Sequence, residues 1–121
     1  MRWNKTLTNT QNKAIELCEY LKKNHSGREN AASSKTLEAA FDIDGRTVRR
    51  CVNFLRQEWF PICSDTAGYY YAASQQEINE TISRLNSLIT KISNAKTGLL
   101  TAHYKTPSQI PISIEIKLTV G

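Results

Sequence analysis

Apolar residues recur at helical spacing in three stretches of the first half of the chain. The first stretch, 10–24, repeats its apolar residues every three or four positions and predicts a helix with one buried face. A second helix follows Ser33 or Ser34, either of which can cap it, and a third begins near Gly45. The residues expected to face a common core are Ala14, Leu17, Cys18, Leu21, Leu37, Ala40, Phe41, Val48, Val52, Leu55 and Trp59, with Cys51 beside them.

Two acidic residues mark the junction between the second and third helices. Asp42 falls in the turn, where Asp tolerates a left-handed backbone better than most residues do. Asp44 stands just before the third helix, where its carboxylate can accept the backbone N–H of Arg46 or Thr47. The pattern predicts two helices joined by a tight turn.

Two short runs of β type follow the third helix. Pro61 opens the first run, and the two runs meet at a turn that ends in Gly68. Three consecutive tyrosines, 69–71, then alternate between the faces of the second run. We expect at least one tyrosine to enter the core and another to be exposed. The tyrosines serve either the packing of a β-hairpin or contact with DNA, and the pattern favours packing.

Beyond the hairpin, apolar residues alternate at spacings of four and three from residue 74 to about 96. Ser74 and Glu77 form a capping box, which predicts the start of a long helix. The spacing is that of a coiled-coil seam. The helix either packs on its own domain or pairs with a second copy, and the regularity favours self-association. The predicted dimerisation residues are Ile78, Ile82, Leu85, Ile89 and Ile92.

The end of the chain has a period of two. From Ile110 to Val120 apolar residues occupy every second position, which predicts a strand. A lone amphipathic strand is not stable in water, so it must pair with the hairpin, with another subunit or with a partner protein. We therefore divide the chain into a domain of residues 1–73, a helix of 74–103 and an extended tail of 104–121.

Positive charge is concentrated in the first half of the chain. The net charge is +5, and residues 1–60 hold eleven Lys and Arg against seven Asp and Glu. No acidic residue interrupts the polar surface of the third helix, whereas solvated helices normally intersperse both signs. The polar residues predicted on this surface are Arg46, Thr47, Arg49, Arg50, Asn53 and Arg56.

The segment IDGRTVRRCVNFLR resembles the recognition helix of bacterial winged helix-turn-helix domains, which occur in repressors and in small phage-encoded proteins. The segment PICSDTAGYYYA resembles their wing. The resemblance covers roughly residues 12–73, a little over half of the chain. The chain departs from it at Trp59, where these domains usually have the Gly that ends the helix, and at Asp42, where Gly is also common.

The resemblance implies a winged helix-turn-helix for residues 12–73. Together with the long amphipathic helix and the strand-like tail that the spacing predicts after it, the expected fold is mainly α (α+β). In such a domain the third helix enters the major groove of double-stranded DNA. The chain is then expected to be a sequence-specific, dimeric DNA-binding protein, a small bacterial or phage transcription regulator. The alternative is an accessory protein that uses the winged helix and C-terminal region as a scaffold for protein–protein interaction.

The expected DNA contacts extend beyond the third helix. The hairpin turn carries no Lys or Arg, so only the hydroxyls of Ser64 and Thr66 could bind phosphate there. Stronger phosphate contacts are expected from Arg28, Lys35 and Arg56. The expected DNA-binding set is Arg46, Thr47, Arg49, Arg50, Asn53, Arg56, Lys35, Ser64 and Thr66.

The sequence shows no catalytic or metal-binding constellation, and we expect no enzyme activity, cofactor or metal. Cys18, Cys51 and Cys63 are odd in number and irregularly spaced, which is typical of core cysteines in a reducing cytoplasm. His25 and His103 have no partners at ligand spacing. No run of about 18 apolar residues predicts a membrane span. A cytoplasmic location is therefore expected.

Overall fold

Four α-helices, a short 3₁₀ helix (Arg28–Asn30) and one two-stranded antiparallel sheet make up the part of the chain that the computed structural model describes, residues 7–102. The mainly helical α+β class predicted from the sequence is confirmed. The chain separates into two compact units after Asn86. The elements are α1 (Asn9–Asn24), α2 (Ser34–Phe41), α3 (Gly45–Gln57), β1 (Ile62–Asp65), β2 (Gly68–Tyr71) and α4 (Gln75–Thr101). His103 and the predicted strand in the tail lie outside the described residues.

The first three helices begin at side-chain caps. The backbone N–H of Gln11 donates to the hydroxyl of Thr8, so α1 starts one residue before the predicted position. Ser33 caps α2, because its hydroxyl accepts the N–H of Thr36 at 3.2 Å. Asp44 caps α3, as predicted. Each cap satisfies a backbone donor that the first turn of a helix leaves without a partner.

The core of the first unit lies where α1 crosses α2 and α3. Most of the predicted core positions are buried, and Leu55 is completely inaccessible. Two predictions were wrong: Ala40 is exposed and Trp59 is 80% exposed. The helical pattern was extended to Trp59, but α3 ends at Gln57, so Trp59 does not continue the buried face. Phe41 is half-buried against the core.

A left-handed residue ends both α2 and α3. Asp42, with φ of 52°, turns the chain between the two helices as predicted. Trp59 has φ of 72°, its N–H donates to the carbonyl of Arg56, and the N–H of Phe60 donates to the carbonyl of Leu55. This pair of hydrogen bonds is a Schellman motif, in which glycine is the usual left-handed residue. The chain therefore keeps the expected helix end with an unfavourable residue at its left-handed position.

The β-hairpin has two buried faces. Ile62 pairs with Tyr71 on the face that packs against the helical core, and Cys63 pairs with Tyr70 on the opposite face. Tyr70 is fully buried, which confirms that one tyrosine enters the interior. Tyr69 and Tyr71 are half-buried, so none of the three is as exposed as expected. The second buried face exists because α4 begins beside it, and the hydroxyl of Thr81 accepts the N–H of Ser64 at 3.3 Å.

The outer edge of β2 is paired with the loop between α1 and α2. Ala32 and Tyr69 exchange two backbone hydrogen bonds of 2.8 Å each, and the N–H of Gly27 donates to the carbonyl of Tyr71. Gly68 is needed for this contact, since a Cβ there would lie 2.2 Å from the carbonyl oxygen of Ala32. β2 therefore offers no open edge at Tyr69.

The start of α4 is tied to the first unit by Glu77. The hydroxyl of Ser74 accepts the N–H of Glu77, and the Glu77 carboxylate interacts in turn with the backbone N–H of Ser74, as the predicted capping box requires. The Glu77 carboxylate has two further backbone donors. It accepts the N–H of Ala73 at 2.8 Å and the N–H of Arg28 at 2.9 Å. The carboxylate thus joins the loop that follows α1 to the first turn of α4.

Stability should fall in acid partly because of these contacts. The two backbone donors hold the pKa of Glu77 below its ordinary value of about 4.5, so its contribution is present above that pH and is lost as the pH falls through the lower folded-state pKa. Glu77→Gln should lower the free energy of unfolding at neutral pH and reduce its dependence on pH in the acid range. Urea unfolding between about pH 7 and pH 3 measures this. The exposed Glu29 provides the control, and an equal loss in Glu29→Gln would contradict the assignment.

The second unit is described up to Ala102 and contains the remainder of α4. Its apolar side chains are exposed, including Leu88, Ile89, Ile92 and Leu99. Within residues 7–102, no helix combines the length and the apolar character needed to cross a membrane.

Candidate nucleic-acid interface

Three arginines and an asparagine form an exposed surface on α3, which we call the arginine face: Arg46, Arg49, Arg50 and Asn53. The opposite side of the helix carries Val48, Val52 and Leu55, all buried. The alternation follows from the helical period, because residues three and four apart share a face. α3 contains no acidic residue, so its exposed surface is positively charged.

Two carboxylates from outside α3 lie near the arginine face. Thr47 donates both its N–H and its hydroxyl to Asp44, and these bonds, with the charges of Arg46 and Arg50, lower the pKa of Asp44. The Asp44 carboxylate therefore stays ionised and partly offsets the positive charge. Thr47, which the sequence placed among the DNA contacts, uses its hydroxyl in this cap.

The second carboxylate belongs to α2. A Cβ placed on Gly45 would lie 3.5 Å from Glu38 Oε2 and 3.7 Å from Arg49 Nη1, so these two groups flank the same point. The hydroxyl of Ser34 donates to the Glu38 carboxylate at 2.9 Å and fixes its position. The carboxylate near Arg49 is therefore that of Glu38, whereas Arg46 and Arg50 lie near the carboxylate of Asp44.

Arg28 and Arg56, both expected to contact phosphate, are bound within the protein. Arg56 donates to the carbonyl of Ile62 at 2.8 Å and to the hydroxyl of Ser64 at 3.0 Å, and burial lowers its pKa. Arg28 forms ion pairs with Asp65 (3.1 Å) and with Glu80. These guanidinium groups hold the hairpin and α4 in place. The sequence pattern missed this because the partners are on other elements.

Two of the remaining predicted phosphate contacts line a polar cleft of about 330 Å³ between the start of α2 and the hairpin turn. Ser64 and Thr66 line it, and Thr66 is exposed. Lys35 is exposed on the first turn of α2. Arg84 also lines the cleft and was not predicted, because only the position of α4 beside the hairpin brings it there.

An apolar groove of about 280 Å³ lies between the end of α3, the start of β1 and the first three turns of α4. We call it the Trp59 groove. Three of the predicted dimerisation residues line it, namely Ile78, Ile82 and Leu85, and Ile82 is 48% exposed. Ile78 and Leu85 are half-buried by their own unit, while Ile89 and Ile92 are exposed in the second unit. The other main lining residues are Trp59, Phe60 and Pro61.

The three cysteines are buried and form no disulfide. Burial is the main cause that raises their pKa values, that of Cys18 to about 11, so at neutral pH they are uncharged core side chains. In the part of the chain that the structure describes, no three His, Cys, Asp or Glu residues converge on a point where a metal ion could bind.

Comparison with known proteins gave no match of this chain to a protein-family model, to a curated protein or to a solved structure.

Proposed function

We propose that residues 12–73 form a winged helix-turn-helix domain that binds double-stranded DNA in a sequence-specific manner. In this proposal α3 is the recognition helix and the β1–β2 hairpin is the wing. The protein acts as a dimer that reads two half-sites, as a small bacterial or phage transcription regulator does. The order of the elements supports the proposal, because a helix, a tight turn, a second helix and a hairpin follow one another in α2, α3, β1 and β2.

The arginine face is the observation that carries the proposal. Arg46, Arg49 and Arg50 are exposed on the first two turns of one helix whose other side is buried. An α-helix fits the major groove, where an arginine can donate two hydrogen bonds to the N7 and O6 acceptors of guanine. Asn53 lies on the same face and can pair with adenine. The exposed Lys35 would contact phosphate beside the helix.

The hairpin plays a smaller part in this model of DNA binding. Its turn has no cation, and the nearby Arg28 and Arg56 are engaged in internal contacts. The exposed Thr66 hydroxyl and the Arg84 guanidinium remain as phosphate contacts at the polar cleft. Affinity should therefore depend mainly on α3, and the hairpin should mainly fix the position of α4.

A second candidate function is the protein-interaction scaffold. The Trp59 groove and the exposed apolar residues of α4 favour it, since neither feature belongs to the arginine face that would contact DNA. In that case the chain would bind its partner through apolar contacts and show no preference among duplex sequences.

Selection of duplexes from a random pool by the full chain separates the two functions. The proposal predicts enrichment of one motif, guanine-containing where the arginines read the groove. If the protein binds as a dimer, two copies of the motif should be spaced by about 34–36 Å or a multiple of it. Recovery of a pool without any preferred motif would refute sequence-specific binding and leave the scaffold as the better description.

A further inference from the structure

Trp59 stands at the edge of the Trp59 groove with 80% of its surface exposed. It also occupies a left-handed backbone position, with φ of 72°, where glycine would be unstrained. A large exposed aromatic residue in a disfavoured conformation is not what folding stability alone selects. Such residues concentrate where a protein binds something.

The groove beside Trp59 accepts an apolar side chain. Its walls include Pro61, Ile78 and Leu85, and Ile82 is exposed at its opening. Its volume of about 280 Å³ lies just below the usual range of small-molecule pockets, so it suits one large side chain rather than a whole folded element. A protruding aromatic residue and a cavity of matching chemistry therefore lie side by side on one surface.

We propose that the Trp59 groove is a self-association surface, in which Trp59 of each molecule enters the groove of a second copy. A projection next to a cavity on the same patch is self-complementary, and two such patches related by a two-fold axis form a closed pair. A foreign partner would require the cavity but not the neighbouring projection. This inference rests on the dimer of the proposed function and assigns it a surface.

The contact that this surface can form is small. Two tryptophan side chains of roughly 150–250 Å² each, with Ile82 and Leu85 around them, give an interface at the lower end of specific contacts. Tryptophan is among the residues that contribute most to such interfaces. The expected dimer is therefore reversible and in the micromolar range, and binding of two half-sites on DNA would strengthen it.

The surface is compatible with DNA binding. The twelve residues from Arg46 to Gln57 extend about 17 Å along α3, and Trp59 follows the end of the helix. The arginine face is centred on the first half of α3, so a pair joined through the two Trp59 grooves leaves both arginine faces open.

Sedimentation of the full chain between about 10 and 200 µM tests the proposal. The parent should show a concentration-dependent monomer–dimer equilibrium, and Trp59→Gly should raise the dimer Kd at least tenfold. Glycine is unstrained at the left-handed position, and circular dichroism of the variant should show that the helical fold is retained. Ile82→Glu, which introduces charge into the groove without altering the helix end, should have the same effect on the dimer.

Two further variants distinguish a dimer contact at the Trp59 groove from a contact along the exposed apolar residues of α4 in the second unit. Leu99→Ala removes an exposed apolar residue of the second unit and should leave the equilibrium unchanged. If Ile89→Glu with Ile92→Glu abolishes the dimer while Trp59→Gly does not, the contact is the helical seam and the inference is wrong. A parent that stays monomeric over the whole range, whatever covers its groove, also overturns it.

The sedimentation experiment measures self-association without DNA, so its outcome can be separated from that of the duplex selection. A protein that dimerises through Trp59 but selects no duplex motif supports the inference and removes the proposed function. A protein that selects a motif and remains monomeric overturns the inference and the dimer of the proposed function, and supports its sequence-specific binding to DNA.

Discussion

Replacing Arg49 and Arg50 together by alanine is expected to weaken duplex binding roughly 30-fold or more, taking about 1 kcal/mol as the smallest contribution of each arginine contact. Both side chains are exposed on the arginine face, so the change should remove contacts with DNA and leave the core intact. Fluorescence anisotropy with the selected duplex at moderate salt measures the loss. Since each lost phosphate contact lowers the salt slope by about 0.9, the variant should also depend less on salt.

The matched control removes the same charge from another surface. Lys91→Ala with Lys96→Ala changes the net charge from +5 to +3, as the double arginine variant does, at exposed positions of the second unit. Its affinity should fall only slightly. Equal losses in the two variants would mean that net charge, rather than the arginine face, determines binding.

Leu55→Ala is expected to lower the free energy of unfolding by about 2–5 kcal/mol, the usual cost of a large-to-small change in a packed core. Leu55 is completely buried, and its carbonyl also accepts the N–H of Phe60 at the end of α3. The backbone bond survives the substitution, so the loss reports the packing of the side chain. Urea unfolding followed by circular dichroism provides the measurement.

Gln57→Ala is the control for Leu55→Ala, because Gln57 is exposed and lies in the same last turn of α3. Its effect should remain within about 0.5 kcal/mol, as is usual for a surface position. A Leu55→Ala protein as stable as the parent would contradict the register of α3, and with it the position of the arginine face.

The features that depend on neighbouring residues were predictable from the sequence. Asp44 caps α3 and Asp42 adopts the left-handed turn, because both roles are decided within a few residues. The buried face of α3 followed from the helical period for the same reason. Ser33 was one of two candidates for the cap of α2, and the structure selects it.

The features that depend on distant residues were not predictable. Arg56 has the spacing of a surface residue, yet the start of β1 lies close enough to accept its hydrogen bonds. Glu77 has the spacing of a capping-box residue, yet its carboxylate accepts the N–H of Arg28, 49 positions away. The pairing of Ala32 with Tyr69 also joins segments that are far apart in the sequence, and neither residue belongs to a sequence pattern that predicts this pairing.

The same distinction between local and distant contacts explains which parts of the candidate site could be predicted. The arginine face could be read from spacing, because it lies on a single helix. The Trp59 groove could not, since it forms only where the end of α3 meets α4. The exposure of Trp59 depended on where α3 ends, and the helical period alone extended the buried face by one turn too many.

The central claim is that α3 binds duplex DNA through its arginine face, and the most direct test is a titration of the isotopically labelled full chain with the selected duplex, followed by NMR. The amide signals of residues 45–53 should shift most, with smaller shifts near Lys35 and Thr66. Signals that shift mainly around Trp59 and Ile82, or that do not shift at all, would contradict the account.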